Sequence, residues 1–274
     1  MELIYVSALL ITGVGVGFVS GLLGIGGCFL MIPVQYWVLT SMGIDVKIAI
    51  LVAFGTNLLV VLPTAISGSY RHSKRNAVLW KPAVTMGVSG AVAAISGAFV
   101  ATLLPGNVLT TIFGIVIIAG AIRMFTAKPH EVEEHPPENL LPYILVGLPL
   151  GFATGLIGIG GGVLMIPVMI VLLHFRMHQA VGTSTGLMIF TAMGGAISYI
   201  VTGWGVAGLP EYSIGYVNLL QFLLLAVTSV PMAQIGAHVA HRIPGKQLKY
   251  IFIVAMIYMG LKMIGAFSWL GLPI

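Results

Sequence analysis

The chain has 274 residues, of which 58% are hydrophobic and 7% charged, with 12 Lys and Arg against 7 Asp and Glu. Soluble domains carry about a quarter charged residues, so this composition excludes a water-soluble globule. The single cysteine, Cys28, excludes an internal disulfide framework and a cysteine-based metal site.

Apolar segments follow one another at 4–23, 28–41, 48–70, 79–104 and 107–126, then at 140–157, 162–174, 179–202, 215–241 and 247–270. Most are near the ~20 residues that cross about 30 Å of hydrocarbon, which predicts a polytopic membrane protein. The first segment follows Glu2 with no basic region and no cleavage site, so it is expected to stay as a helix. Between the two groups lies one soluble-looking stretch, Lys128 to Asn139, holding Glu131, Glu133, Glu134, Glu138 and the Pro136-Pro137 pair. It is expected to be a solvated cytoplasmic linker between membrane repeats at 1–127 and 140–274.

The sequence contains itself twice. Residues 17–34 and 151–168 are identical at 13 of 18 positions, at a constant offset of 134. Ala53-Phe54-Gly55-Thr56-Asn57 corresponds to Ala180-Val181-Gly182-Thr183-Ser184, and later pairs such as Gly97/Gly236 and Pro105/Pro244 extend the match along nearly the whole chain. Charge orients the copies. Arg71, Lys74, Arg75 and Lys81 flank the connection between the third and fourth segments, whereas its counterpart, 203–215, has no Lys or Arg and contains Glu211. The positive-inside rule puts the first connection in the cytoplasm and the second outside, so the repeats should be inverted. Inversion needs an odd number of crossings per repeat. Five spans satisfy it, and so do three spans plus a hairpin of two short helices. The short 28–41 and 162–174 segments favour short or broken helices meeting at Gly-Ile-Gly-Gly turns. The expected fold is therefore an all-α polytopic membrane protein of two inverted-topology repeats, with about eight to ten helical segments.

The duplicated turns are Gly24-Ile25-Gly26-Gly27 and Gly158-Ile159-Gly160-Gly161. Glycine allows a tight turn and close approach to a ligand, and the following helix offers unpaired N–H groups and the positive end of its dipole. Together they make an anion site without a formal buried charge. The competing reading is that these glycines only permit close helix packing. No strand precedes either turn, and the spacing is neither a Rossmann nor a P-loop pattern, so no nucleotide or other cofactor is implied. Nothing points to a nucleic-acid partner. The second duplicated element supplies Thr56, Asn57, Thr183 and Ser184, which either donate to an oxyanion or bond within their own helix.

Every Asp and Glu falls in a loop or at a segment end, which disfavours a cationic substrate and favours an anion. A proton-coupled cycle would then use a histidine or the substrate itself as the titrating group. Gln35, Gln234 and His238 lie within apolar segments, and Lys262 lies in the last one, at an end read as external. His238 and Lys262 are candidates for coupling or gating; snorkelling is the alternative for Lys262. His174 and His178 have helical spacing but flank Arg176 in a loop, which reads as ordinary cytoplasmic polarity rather than a metal site.

The two glycine motifs with their trailing Leu-Met-Ile-Pro, the Ala-x-Gly-Thr-(Asn/Ser) elements and the Pro-Gly-x-x-Leu segments resemble the TauE/SafE sulfite exporter family. The resemblance covers essentially the whole chain. It implies a permease of the prokaryotic cytoplasmic (inner) membrane moving a sulfur-containing anion such as sulfite or a sulfonate. By position it points to Gly24, Gly26, Gly27, Thr56 and Asn57, and to Gly158, Gly160, Gly161, Thr183 and Ser184. Cys28 departs from its partner, Gly162.

The combined reading is a secondary transporter, not an enzyme, exporting a small anion by alternating access. Its partners are the lipid bilayer, the anion and protons as coupling ion, with a homo-oligomer open. The rivals are a passive anion channel and a permease for another small anion or a metal ion.

Overall fold

A computed structural model describes residues 3–23, 28–126, 137, 139–239 and 245–266. It is built from α1 (Leu3–Leu23), α2 (Cys28–Ser41), α3 (Val46–Ser73), α4 (Trp80–Leu103), α5 (Gly106–Thr126), α6 (Leu141–Ile157), α7 (Gly162–Leu172), α8 (Met177–Thr202), α9 (Leu219–Val239) and α10 (Gly245–Ile264). Six of these helices are long and apolar enough to cross a membrane. The chain is an all-α polytopic membrane protein, and its helices follow the apolar segments closely.

One difference is local. The apolar segment expected from residue 215 becomes helical only at Leu219, because residues 213–218 form a two-residue antiparallel hairpin, β1 (Ser213–Ile214) and β2 (Val217–Asn218). Gly205, Gly208 and Gly215 take positive φ in the connection before α9, and the Asn218 side chain accepts the Gln221 N–H at 2.9 Å to start the helix. Asp45 does the same for α3, accepting from the N–H groups of Lys47 and Ile48 at 2.9 and 3.3 Å.

The two halves interleave. α4 packs along α6 and α1 along α9, while α3 packs on α8 and α5 on α10. Exchanging the halves turns the α4–α6 pairing into α1–α9 and returns each of α3–α8 and α5–α10 to itself. Small residues make the close seams: Gly147, Gly151 and Gly155 of α6 lie against Met86, Gly90 and Ala94 of α4. Gly13 and Gly17 of α1 lie against Leu225, Thr228 and Ser229 of α9 in the same way. In hydrocarbon, close backbone approach of this kind is what holds helices together, because lipid is as apolar as Leu.

The connections gather at two ends. Gly106 packs on Val46 and Lys47 and Gly208 on Ile48, so the α2–α3, α4–α5 and α8–α9 connections share one end. Ala77, before α4, packs on Gly182 in the second turn of α8, which puts the α3–α4 and α7–α8 connections at the other. Tyr5 meets Trp37 edge-on at 5.8 Å, closing the α1–α2 pair at the first end. Tyr143 meets Phe175 at 6.3 Å, closing the α6–α7 pair at the second.

Candidate functional site

α6 stops at Ile157 and α7 starts at Gly162 because the intervening glycines leave helical conformation. Gly158, Gly160 and Gly161 take φ of 65°, 73° and 99°. For any other L-residue the left-handed region costs about 1–2 kcal/mol, so glycine is the residue that allows this turn. Residues 158–162 are all buried. The 11 residues of α7 reach about 16 Å, half the hydrocarbon thickness, which places the turn deep within the protein's span.

Asn57, in the middle of α3, donates its Nδ2 to the Gly158 carbonyl at 2.6 Å and is fully buried. Its Oδ1 has no partner among the described residues. Thr154, in the last turn of α6, is also fully buried with an unpartnered Oγ1, and lies beside Gly161. Thr191 of α8 sits against the Gly160 carbonyl at a long 3.4 Å, and Val61 and Met188 close the wall. No Asp, Glu, Lys or Arg is buried among the described residues. The site thus offers the amino end of α7 and a threonine hydroxyl as donors, with the Asn57 carboxamide holding the turn and presenting an acceptor oxygen, in apolar surroundings without formal charge. Such a set can hold a small anion through N–H and O–H donors, the hydroxyl rotating to suit.

The expected site residues divide. Asn57, Gly158, Gly160 and Gly161 come together. Gly24, Gly26 and Gly27 lie outside the described residues, as does most of the 128–139 linker. Thr56 and Thr183 have a different employment: Thr56 Oγ1 accepts the Asn218 N–H at 2.8 Å, and Thr183 Oγ1 accepts the Leu79 N–H at 3.0 Å. Each thus ties the third helix of one repeat to the residue preceding the fourth helix of the other. The adjoining Gly55 and Gly182 press on Tyr216 and Ala77 of those same connections. Ser184 is buried and donates to the Val181 carbonyl at 2.8 Å. His238 and Lys262 are exposed in the last turns of α9 and α10, and no bond joins either to the turn among the described residues. Thr154 escaped the sequence reading, although its duplicated partner Ser20 also carries a hydroxyl and could have flagged it.

Residues 9–263 match the family described as Sulfite exporter TauE/SafE. The chain belongs to this family. It is 34% identical over 267 residues, 96% of each chain, to a probable membrane transporter protein of Methanocaldococcus jannaschii. A probable membrane transporter protein of Haemophilus influenzae is 27% identical over 260 residues, covering 93% of this chain and 96% of its own. One from Bacillus subtilis is 27% identical over 280 residues, covering 95% and 98%. No solved structure matches the chain. With six apolar spans, this TauE/SafE member is an integral membrane transporter, and the cytoplasmic membrane is the location that fits a permease of this family.

Proposed function

We propose that this TauE/SafE protein is a secondary transporter that moves a small sulfur-containing anion, such as sulfite or an organosulfonate, out across the cytoplasmic membrane. The observation that carries the proposal is the buried Gly158–Gly161 turn at the start of α7, with the uncommitted Thr154 Oγ1 beside it as a hydroxyl donor. A charge-assisted hydrogen bond contributes about 1.5–3 kcal/mol, so two or three donors compensate much of an anion's lost hydration without a buried cation that would trap it. The family's name supports sulfite as the substrate class.

In this reading the repeats are inverted, with the basic α3–α4 connection in the cytoplasm. The α1–α2 and α6–α7 pairs then enter from opposite faces, and the anion passes between the pairs as one repeat moves against the other. Proton coupling would use the anion's own protonation, since His238 stands at a helix end.

The test is radiolabelled sulfite flux in proteoliposomes, with and without an imposed pH gradient, competed by sulfoacetate, sulfate and chloride. Gradient-driven accumulation is the expected result. Flux that only equilibrates would make the protein a channel, and no flux of any sulfur anion would remove the substrate assignment.

A further inference from the structure

Two buried glutamines, one on α2 and one on α9, have no side-chain partner among the described residues. A cavity of about 300 Å³ lies at the end shared by the α2–α3 and α8–α9 connections, with Leu39, Met42, Leu209, Glu211, Tyr212 and Gln221 in its wall. Gln221, in the first turn of α9, is 1% exposed, and neither its Oε1 nor its Nε2 has a partner among the described residues. Gln35 lies one turn before Leu39 on α2, is wholly buried, and is equally unpartnered. Their counterparts in the opposite repeats, at the offsets of 134 and 139 that relate these helices, are Met169 for Gln35 and Pro82 for Gln221. Neither glutamine is therefore repeated in the other half. A buried amide without a partner costs free energy, so a pair of them that departs from an otherwise repeated architecture points to a ligand.

We infer that this cavity is an outer docking site for the transported oxyanion in its singly protonated form, with Gln221 as the recognising amide and Gln35 the next along the path. The inference rests on the reading of the chain as a small-oxyanion transporter. A carboxamide presents an N–H donor and a carbonyl acceptor side by side. A fully deprotonated oxyanion can only accept, and leaves the amide oxygen facing negative charge. A hydrogen oxyanion supplies an O–H for that oxygen and acceptors for the N–H. Glu211 acts in the same direction, because its repulsion doubles when the ligand goes from one negative charge to two. The apolar wall raises the cost of a dianion further. Among the described residues no Lys or Arg lines the cavity. The titratable groups around it are Glu211 and Tyr212 in the wall, Tyr36 on α2, and Asp45 and Lys47 at the start of α3.

The experiment is calorimetric titration of the full chain in lipid nanodiscs with sulfite, on either side of the hydrogensulfite ionisation, and with methanesulfonate, a monoanion lacking an O–H. Wild type is expected to bind hydrogensulfite at least about tenfold more tightly than sulfite or methanesulfonate. Gln221→Leu should lose about tenfold of that affinity together with the pH dependence, while Glu211→Gln should keep most of it. Gln221→Met, which also removes the unpaired amide, repeats the test should the leucine variant fold poorly. Unchanged affinity and pH dependence in both Gln221 variants would overturn the inference. So would pH dependence lost in Glu211→Gln alone, or a wild type that binds no sulfite in either form. Flux separates the two readings: binding at Gln221 without transport keeps this inference and removes the proposed function, and transport with unchanged affinity in both Gln221 variants does the reverse.

Discussion

The α4–α6 seam and the α6–α7 turn are both written in glycine, yet they use it for opposite reasons. Gly151 and Gly155 are helical and carry no side chain because the α4 backbone occupies that space. Gly160 is left-handed, and the nearest atoms a Cβ there would meet are side-chain atoms of Val61, at 3.0 and 3.2 Å, and of Met188 at 3.5 Å. A seam glycine is thus a statement about a neighbouring helix, and a turn glycine is a statement about its own backbone. Substitution should separate them. Gly155→Val drives side-chain atoms into the Ala94 carbonyl, a backbone contact that cannot move aside. The cost should exceed the ~1–3 kcal/mol of ordinary overpacking, and monodisperse protein recovered from membranes should be nearly lost. Normal yield with normal flux would show that the seam is looser than the contacts indicate.

Gly160→Val tests the other side of the comparison. The left-handed backbone costs a non-glycine residue about 1–3 kcal/mol, and Val61 can shift to accept the new methyl groups. The protein should therefore insert and remain folded, while sulfite flux falls at least about tenfold through the displaced amino end of α7. A folded variant that transports normally would remove the turn from the substrate path.

Thr56 and Thr183 sharpen the comparison at smaller scale, because the same bond occurs once in each repeat. Thr56→Val and Thr183→Val should each lower stability by about 1 kcal/mol, the value of one hydrogen bond, and the double variant should be additive. Thermal unfolding of the purified variants measures it. A marked inequality would mean that one threonine also serves the substrate.

Much of this architecture was legible in the sequence, for a physical reason. Lipid forces backbone hydrogen bonds inside each segment, so uninterrupted apolar runs such as 79–104 have to be helices, and α4 spans Trp80–Leu103 accordingly. The duplicated Gly-Ile-Gly-Gly motif suggests a tight turn between short helices, with helix packing as the alternative, and the positive φ of Gly158, Gly160 and Gly161 is what the structure adds. What stayed hidden was the partner of each duplicated group. Thr56 and Asn57 are adjacent in sequence, yet one reaches Asn218 and the other Gly158. Neither destination follows from spacing, because both contacts depend on how the repeats interleave. Gln221 stayed hidden because a glutamine in the first turn of a helix usually reads as a surface residue.

Thr154 gives the finest discrimination, since packing and binding predict opposite signs for one substitution. Its hydroxyl is fully buried without a partner among the described residues, and such a group costs about 1–3 kcal/mol wherever it is only structural. Thr154→Val keeps the shape and removes that penalty, so unfolding should be unchanged or shifted slightly upward. If the hydroxyl donates to the anion, the same variant should raise the KM for sulfite by about tenfold or more, the value of one hydrogen bond to a charged group, with little change in the amount of folded protein. A raised KM in a protein at least as stable as wild type would identify Thr154 as part of the substrate path. An unchanged KM would leave the turn to Asn57 and the backbone, and would return Thr154 to the seam formed by Gly147, Gly151 and Gly155.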